Sequence, residues 1–175
     1  MKEQKIAENS TFYNYTLIKK IMYSRSFKLF CLYFNIVLVS CDVIYFQLQG
    51  LIAYLIGIPT IAFLQFFLIK IVLQTTNDSS RRHWSFRVNL PCVGYLPNGF
   101  VTLKSLYRVH AHLLLVGSAI IGVIYIWIPA PYFNSFMFVH LGLLLPRLVI
   151  LWRFKNLKPS GLVKFNLKDT AYYTP

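Results

Sequence analysis

Four long hydrophobic runs divide the chain, and polar or basic segments lie between and around them. The clearest run extends from Tyr132 to Trp152, and only His140 and Arg147 within it can carry charge. A helix needs about 20 apolar residues to cross the hydrocarbon core of a bilayer, and this run is long enough. The other three predicted helices cover residues 27–46, 51–73 and 111–128. The pattern therefore predicts an all-α integral membrane protein with four transmembrane helices.

The connections between these helices predict how they are arranged. Uncharged turns at residues 47–50 and 128–131 join them into two transmembrane hairpins, residues 27–73 and 111–152. Lys and Arg lie instead at the other helix ends, where membrane proteins place their cytoplasmic segments. We therefore expect three cytoplasmic segments, with both termini inside: an N-terminal segment, a central loop and a basic tail, at residues 1–26, 74–110 and 153–175.

The cytoplasmic segments carry weaker signals of local structure. Apolar residues from Tyr13 to Met22 recur at helical spacing, which predicts a short amphipathic helix on the membrane surface or an extension of the first helix. A second interfacial helix is expected near residues 100–110, at the end of the central loop. In the tail, Val163 and Phe165 alternate with basic and polar residues, a period typical of a strand; we favour a surface coil there, with a paired strand as the alternative.

Composition and charge also favour a membrane location. The chain is 57% hydrophobic and 13% charged, with a mean hydropathy of +0.54, whereas soluble domains have about 25% charged residues. A net charge of +13 can indicate nucleic-acid binding, but the basic residues cluster beside hydrophobic runs and form no separate basic domain. We expect a multi-pass protein of the bacterial inner membrane, or alternatively of an organelle membrane, that contacts anionic lipids and does not bind nucleic acid.

Polar residues inside the predicted helices are candidate functional residues. At a rise of about 1.5 Å per residue, Asn35 and Gln65 have similar depths, so we expect a hydrogen bond that stabilises helix packing. Asp42 and His140 differ in depth by roughly 6 Å at most, and such a pair could relay a proton or hold a ligand. The structural alternative places Asp42 at the outer headgroups and His140 against a backbone carbonyl or another subunit.

The histidines raise the question of a haem. His112 and His140 differ in predicted depth by roughly 12–18 Å, which is too far for two ligands of one iron. His110 and His112 are two residues apart and face different sides of a helix. No cofactor or metal is therefore predicted, and a haem shared with another subunit is the remaining alternative.

Basic residues near the inner helix ends predict a surface for anionic partners. The long side chains of Arg and Lys can extend from a helix end to the headgroups. We expect an inner basic rim that holds an anionic lipid or an acidic loop of another subunit, formed by Lys70, Arg108, Arg147 and Arg153.

The sequence offers little material for catalysis. It has no phosphate-binding glycine loop, no HExxH or GxSxG motif and no paired carboxylates, and no catalytic residue is assigned. The 17% of aromatic residues provide large surfaces for contact with lipid or other subunits. We therefore expect a non-enzymatic component of a multi-subunit membrane assembly. The alternatives are a small transporter or proton-handling protein that uses Asp42 and His140, and a membrane enzyme of lipid or peptide processing that uses Cys92 and His83.

Overall fold

The computed structural model describes residues 15–76, 84–89 and 91–174, and it contains both helices and strands. The helices are α1 (Arg25–Thr75), α2 (Leu103–Ile124) and α3 (Ala130–Arg153). The strands are β1 (Thr16–Met22), β2 (Trp84–Asn89), β3 (Cys92–Pro97), β4 (Val101–Thr102), β5 (Leu162–Phe165) and β6 (Asp169–Thr174). The prediction of an all-α protein with four transmembrane helices is wrong, because the described chain combines three helices with a four-stranded and a two-stranded antiparallel sheet.

The long helix α1 reverses direction at Gln47, whose φ of 52° and ψ of −134° are not helical. Residues 32–40 and 54–58, from the two sides of this break, line one cavity, so the chain folds back on itself. We call residues 25–46 and 48–75 the two arms of α1. Gly50 follows the reversal, and a Cβ at this position would overlap the backbone carbonyl of Asp42. A glycine is therefore needed where the two arms meet.

The sheets are built from segments that lie far apart in the sequence. β1 precedes α1, β4 precedes α2, and β5 and β6 follow α3, yet these four strands pair in the order β1-β6-β5-β4. β2 and β3 form a separate hairpin between α1 and α2. We call the six strands and the described residues that connect them to each other and to the helix ends the strand cap. The cap gathers the N-terminal, central and C-terminal segments on one side of the helices.

Three segments in or beside the cap can be compared with the structure predicted for them. The amphipathic helix expected up to Met22 is wrong for the described part, because Thr16–Met22 forms β1; Tyr13 lies outside the described residues. The strand alternative for the tail is confirmed, since Val163 and Phe165 in β5 are buried and Lys164 between them is half-buried. The helical turns expected near residue 100 feed directly into the next helix, as predicted, and form the beginning of α2, which Thr102 caps by accepting a hydrogen bond from the Ser105 amide at 3.2 Å.

One hydrophobic core joins the strand cap to the adjoining helix ends. Its helical residues include Phe27, Leu73, Leu106 and Ile150, and its strand residues include Ile21, Leu96, Val163 and Phe165. A smaller cluster of Tyr54, Ile61, Ile121 and Val139 connects the three helices on the far side from the cap. The cap and the helices are therefore packed together as one body.

All three helices are long and apolar enough to cross a membrane. The most apolar windows of α1, α2 and α3 have mean hydropathies of 2.1, 1.5 and 1.8. The outward surfaces of α1 and α2 are also apolar: Ile44 is 75% exposed, Leu115 is 70% exposed and Phe63 is 68% exposed. In length and composition, these helices agree with the predicted membrane location.

Candidate functional site

His140 lies where the three helices meet. Its side chain is fully buried, with Nδ1 3.3 Å from the side-chain amide of Gln65 in α1 and Nε2 3.1 Å from the Leu113 carbonyl in α2. A neutral ring protonated at Nε2 satisfies both contacts, because Nδ1 then accepts from Gln65 and Nε2 donates to the carbonyl. We call His140, Gln65 and the Leu113 carbonyl the histidine bridge.

Gly117 allows the imidazole to approach the backbone of α2. A Cβ at Gly117 would lie 2.5 Å from Cε1 and 2.8 Å from Nε2 of His140. Small residues allow this kind of close approach between membrane helices. The histidine bridge therefore depends on a residue in α2 that takes no part in its hydrogen bonds.

Asp42 forms a second polar contact at the reversal of α1. Its Oδ2 accepts a hydrogen bond from the Ser135 hydroxyl at 2.5 Å, and this hydroxyl is also 3.5 Å from the Gly50 carbonyl. Asp42 and Ser135 are both buried, and Oδ1 of Asp42 has no hydrogen-bond partner in the described part of the chain. The contact fixes the start of α3 against the reversal.

The structure separates both residue pairs that were predicted from depth. Asp42 bonds to Ser135, which precedes His140 by five residues in α3 and lies roughly 7.5 Å away from it along the helix axis. Asn35 donates to the Cys31 carbonyl at 2.8 Å within its own helix, while Gln65 contacts His140. The first pair is separated along the helix axis, and in the second pair the side chain of Asn35 turns back to its own helix; counting residues from the helix ends determines neither contact.

Arg147 lies in the interior and not on the predicted basic rim. It is fully buried, and its Nη2 donates to the Val93 carbonyl in β3. Gly94 has a φ of +120°, and a Cβ there would overlap the guanidinium of Arg147. Among the described residues, Nε and Nη1 of Arg147 have no hydrogen-bond partner. The expectation that this side chain reaches the headgroups is corrected, because β3 covers it.

The other three residues of the predicted rim are exposed. Nζ of Lys70 lies 4.6 Å from the ring centre of Phe66, and the guanidinium of Arg153 lies 5.6 Å from that of Phe27. Arg108 is on the first turns of α2. With Arg147 buried, three exposed residues of the predicted rim remain.

Arg153 belongs to a surface cavity that the sequence did not predict. The cavity has a volume of about 410 Å³, and its neighbouring cations come from β1 and from the residues after α3. Nζ of Lys19 donates to the Arg153 carbonyl at 2.8 Å, which joins the two segments. We call it the basic cavity; it is lined by Lys19, Lys20, Ile21, Met22, Trp152, Arg153, Lys155 and Asn156.

The histidines differ in their environments. Both ring nitrogens of His140 are engaged in the histidine bridge. In α2, Nδ1 of the buried His110 and of the exposed His112 each lies 2.8 Å from a backbone carbonyl four residues earlier. Within the described residues, no group of three His, Cys, Asp or Glu side chains could hold a metal ion. A haem shared with another subunit stays a prediction that no contact tests.

Cys92 lies in β3 beside the Tyr23 hydroxyl, which also contacts Oγ1 of Thr170 at 2.5 Å. Burial raises the pKa of the Cys92 thiol to about 12 and outweighs the opposite effect of the nearby Arg147 charge. Burial also raises the pKa of Tyr23. A thiol with a raised pKa is protonated at neutral pH and is a weak nucleophile. The proposed partner His83 lies outside the described residues.

Comparisons with protein-family models, with curated proteins and with solved structures give no match. The function is therefore argued from the geometry of this chain alone. Sequence reasoning missed Gly94, Gly117 and Ser135 as parts of the polar contacts. A glycine inside an apolar helix was the visible signal for Gly117, because it often marks a close helix contact.

Proposed function

We propose that the protein is a non-enzymatic integral membrane component of a multi-subunit membrane assembly. The observation that carries this proposal is the exposure of large apolar side chains along α1 and α2, next to a basic strand cap. Soluble monomers rarely expose apolar patches of more than a few hundred Å². Lipid and neighbouring subunits would cover these helix faces.

Aromatic residues mark two levels that fit the two surfaces of a bilayer. Trp152 is 65% exposed at the cap end of α3, and Trp127 is 72% exposed in the turn before α3. The 24 residues of α3 between these levels span roughly 36 Å at 1.5 Å per residue. This length covers a hydrocarbon core of about 30 Å. Since Lys and Arg concentrate on the cytoplasmic side of membrane proteins, the strand cap would face the cytoplasm.

The helix α2 offers the best surface for a neighbouring subunit. Only 28% of its most apolar window is buried, compared with 50% for α3. Its uncovered side forms an open apolar cavity of about 500 Å³, lined by Leu115, Val116, Ala119, Ile120, Val123 and Ile124. A helix that is covered so little by its own chain can pack against a partner without rearrangement.

Site-specific photo-crosslinking in native membranes tests this proposal. A photoreactive amino acid at Leu115 in α2 should crosslink to a protein partner that also co-purifies in mild detergent. The matched control is Ile44 in α1, which is similarly exposed at 75% and which we expect to crosslink mainly to lipid. A protein that purifies alone, with only lipid crosslinks from both positions, would refute the assembly.

The contacts do not favour the two alternative functions. Asp42 and His140 bond to different partners, so they form no direct proton relay, and Cys92 is a buried thiol with a raised pKa. If the protein moves protons through these residues, combining Asp42→Asn with His140→Gln should abolish transport in a protein that still folds. If it is a thiol enzyme, Cys92→Ser should abolish its activity.

A further inference from the structure

We propose that the basic cavity binds the phosphate headgroup of an anionic phospholipid, with the lipid chains beside Trp152. The proposal rests on the membrane location proposed above. The cavity brings four cationic side chains from two distant segments to one place, namely Lys19 and Lys20 of β1, Arg153 at the end of α3 and Lys155 just after it. A phosphate is the chemical group that such a cluster recognises at a membrane surface.

The charge of the cavity is only partly balanced by the residues that the structure describes. Nζ of Lys20 lies 3.4 Å from a carboxylate oxygen of Asp169. No carboxylate in the described part of the chain forms an ion pair with Lys19, Arg153 or Lys155. Lys19 uses one N–H group on the Arg153 carbonyl, and its other two remain for a ligand. An anionic headgroup would supply the missing negative charge.

The cavity lies at the level where a headgroup is expected. Arg153 is the last residue of α3, the point where the chain leaves the apolar region of the helix. Trp152 and Met22 border the cavity and are 65% and 67% exposed, which provides apolar surface for the start of the acyl chains. Nζ of Lys155 lies 4.8 Å from the centre of the Trp152 ring. This contact holds a cation and an interfacial aromatic residue together.

A second basic cavity serves as an internal control. It also has a volume of about 410 Å³, and its cations are Arg87, Lys164 and Lys168. It is lined by cap residues alone and includes neither a helix end nor a tryptophan. If the basic cavity is a headgroup site at the bilayer surface, the two cavities should differ in lipid binding. If a basic protein is only attracted in general to an anionic membrane, both cavities should contribute equally to lipid binding.

The test measures binding of phosphatidylglycerol to the full chain in mild detergent by native mass spectrometry. One Lys or Arg near an anionic membrane contributes roughly fivefold in affinity, so K19Q combined with K155Q should lower the affinity about 25-fold. The control K164Q combined with K168Q should change it by no more than about fivefold. The single variant K155Q repeats the comparison with the least change to the fold, and thermal unfolding verifies that each variant is folded.

Competition identifies the source of the phosphate. Neither phosphatidylcholine nor inorganic phosphate at millimolar concentration should displace the bound phosphatidylglycerol. Displacement by inorganic phosphate, or an equal loss of affinity in both double variants, would overturn the lipid site. A separate alkaline carbonate extraction of membranes tests the proposed membrane location: a protein that stays in the membrane but fails the lipid test refutes this inference alone.

Discussion

Replacing Gly117 by Ala should weaken the packing of α2 against α3. The new Cβ would lie 2.5 Å from Cε1 and 2.8 Å from Nε2 of His140. The ring is held by the Gln65 amide and the Leu113 carbonyl, so it cannot move away without losing these bonds. The substitution therefore either compresses the helix contact or breaks the histidine bridge.

The size of the effect follows from these contacts. Overpacking costs about 1–3 kcal/mol, whereas breaking the histidine bridge instead loses two interhelical hydrogen bonds at about 0.6 kcal/mol each, or about 1.2 kcal/mol together. Replacing Gly by Ala in a helix also returns about 1 kcal/mol. Gly122→Ala in the same helix receives this gain without the cost, because no atom lies within 4 Å of its new Cβ. The two variants should thus differ by about 1–3 kcal/mol in the free energy of unfolding.

The measurement is reversible unfolding of the purified protein by sodium dodecyl sulfate in mixed micelles, followed by tryptophan fluorescence. Gly117→Ala should unfold at lower detergent fractions than Gly122→Ala. In a His140→Ala background, most of this difference should disappear because the ring is gone. Equal stability of the two glycine variants, or an undiminished difference without the ring, would refute the histidine bridge.

Three further substitutions test the other polar contacts by the same unfolding measurement. Gly94→Ala should cost about 2–5 kcal/mol, from backbone strain at positive φ and overlap with Arg147; in an Arg147→Ala background only the strain should remain. Ser135→Ala should cost about 1–3 kcal/mol because it leaves a buried oxygen of Asp42 without its donor, and Asp42→Asn should cost less; the reverse order would contradict this contact. Burial raises the pKa of the Cys92 thiol from 9.0 to about 12. The contribution of this thiol to the free energy of unfolding should therefore be complete below pH 9 and be lost as the pH rises towards 12. An unchanged pH dependence of unfolding in Cys92→Ala would contradict this assignment.

Hydrophobic runs predicted the positions of helices well because hydropathy depends only on neighbouring residues. The helices expected at residues 111–128 and 132–152 appear as Leu103–Ile124 and Ala130–Arg153. The strands depend on distant partners and were mostly missed. β1 has only seven residues, its apolar residues recur at helical spacing, and its strand conformation is determined by pairing with β6 at the other end of the chain.

A strand signal was nevertheless present in the central segment. Trp84, Phe86 and Val88 alternate with Ser85 and Arg87, which is the period of a strand. Prolines and turn residues on both sides made this segment resemble a loop. The hairpin β2–β3 therefore forms where the local composition suggested no regular structure.

The candidate residues were found more readily than their partners. Asp42 and His140 are buried and hydrogen-bonded, as expected for polar residues in apolar helices, but each contacts a residue that the sequence did not suggest. Arg147 lies near the cap end of α3, where a long side chain was expected to reach the headgroups, yet β3 covers it. Predicting these contacts requires the rotation of each helix and the course of the strand cap, and neither follows from residue spacing.

Labelling of single cysteines in sealed membrane vesicles tests the central claim, that α3 crosses the bilayer with the strand cap on one side. The native cysteines are replaced by Ala, and one cysteine is introduced by Ser160→Cys in the cap or by Trp127→Cys in the turn before α3, both at exposed positions. A membrane-impermeant maleimide should label these two cysteines from opposite sides of the membrane. Labelling of both from the same side would contradict the account.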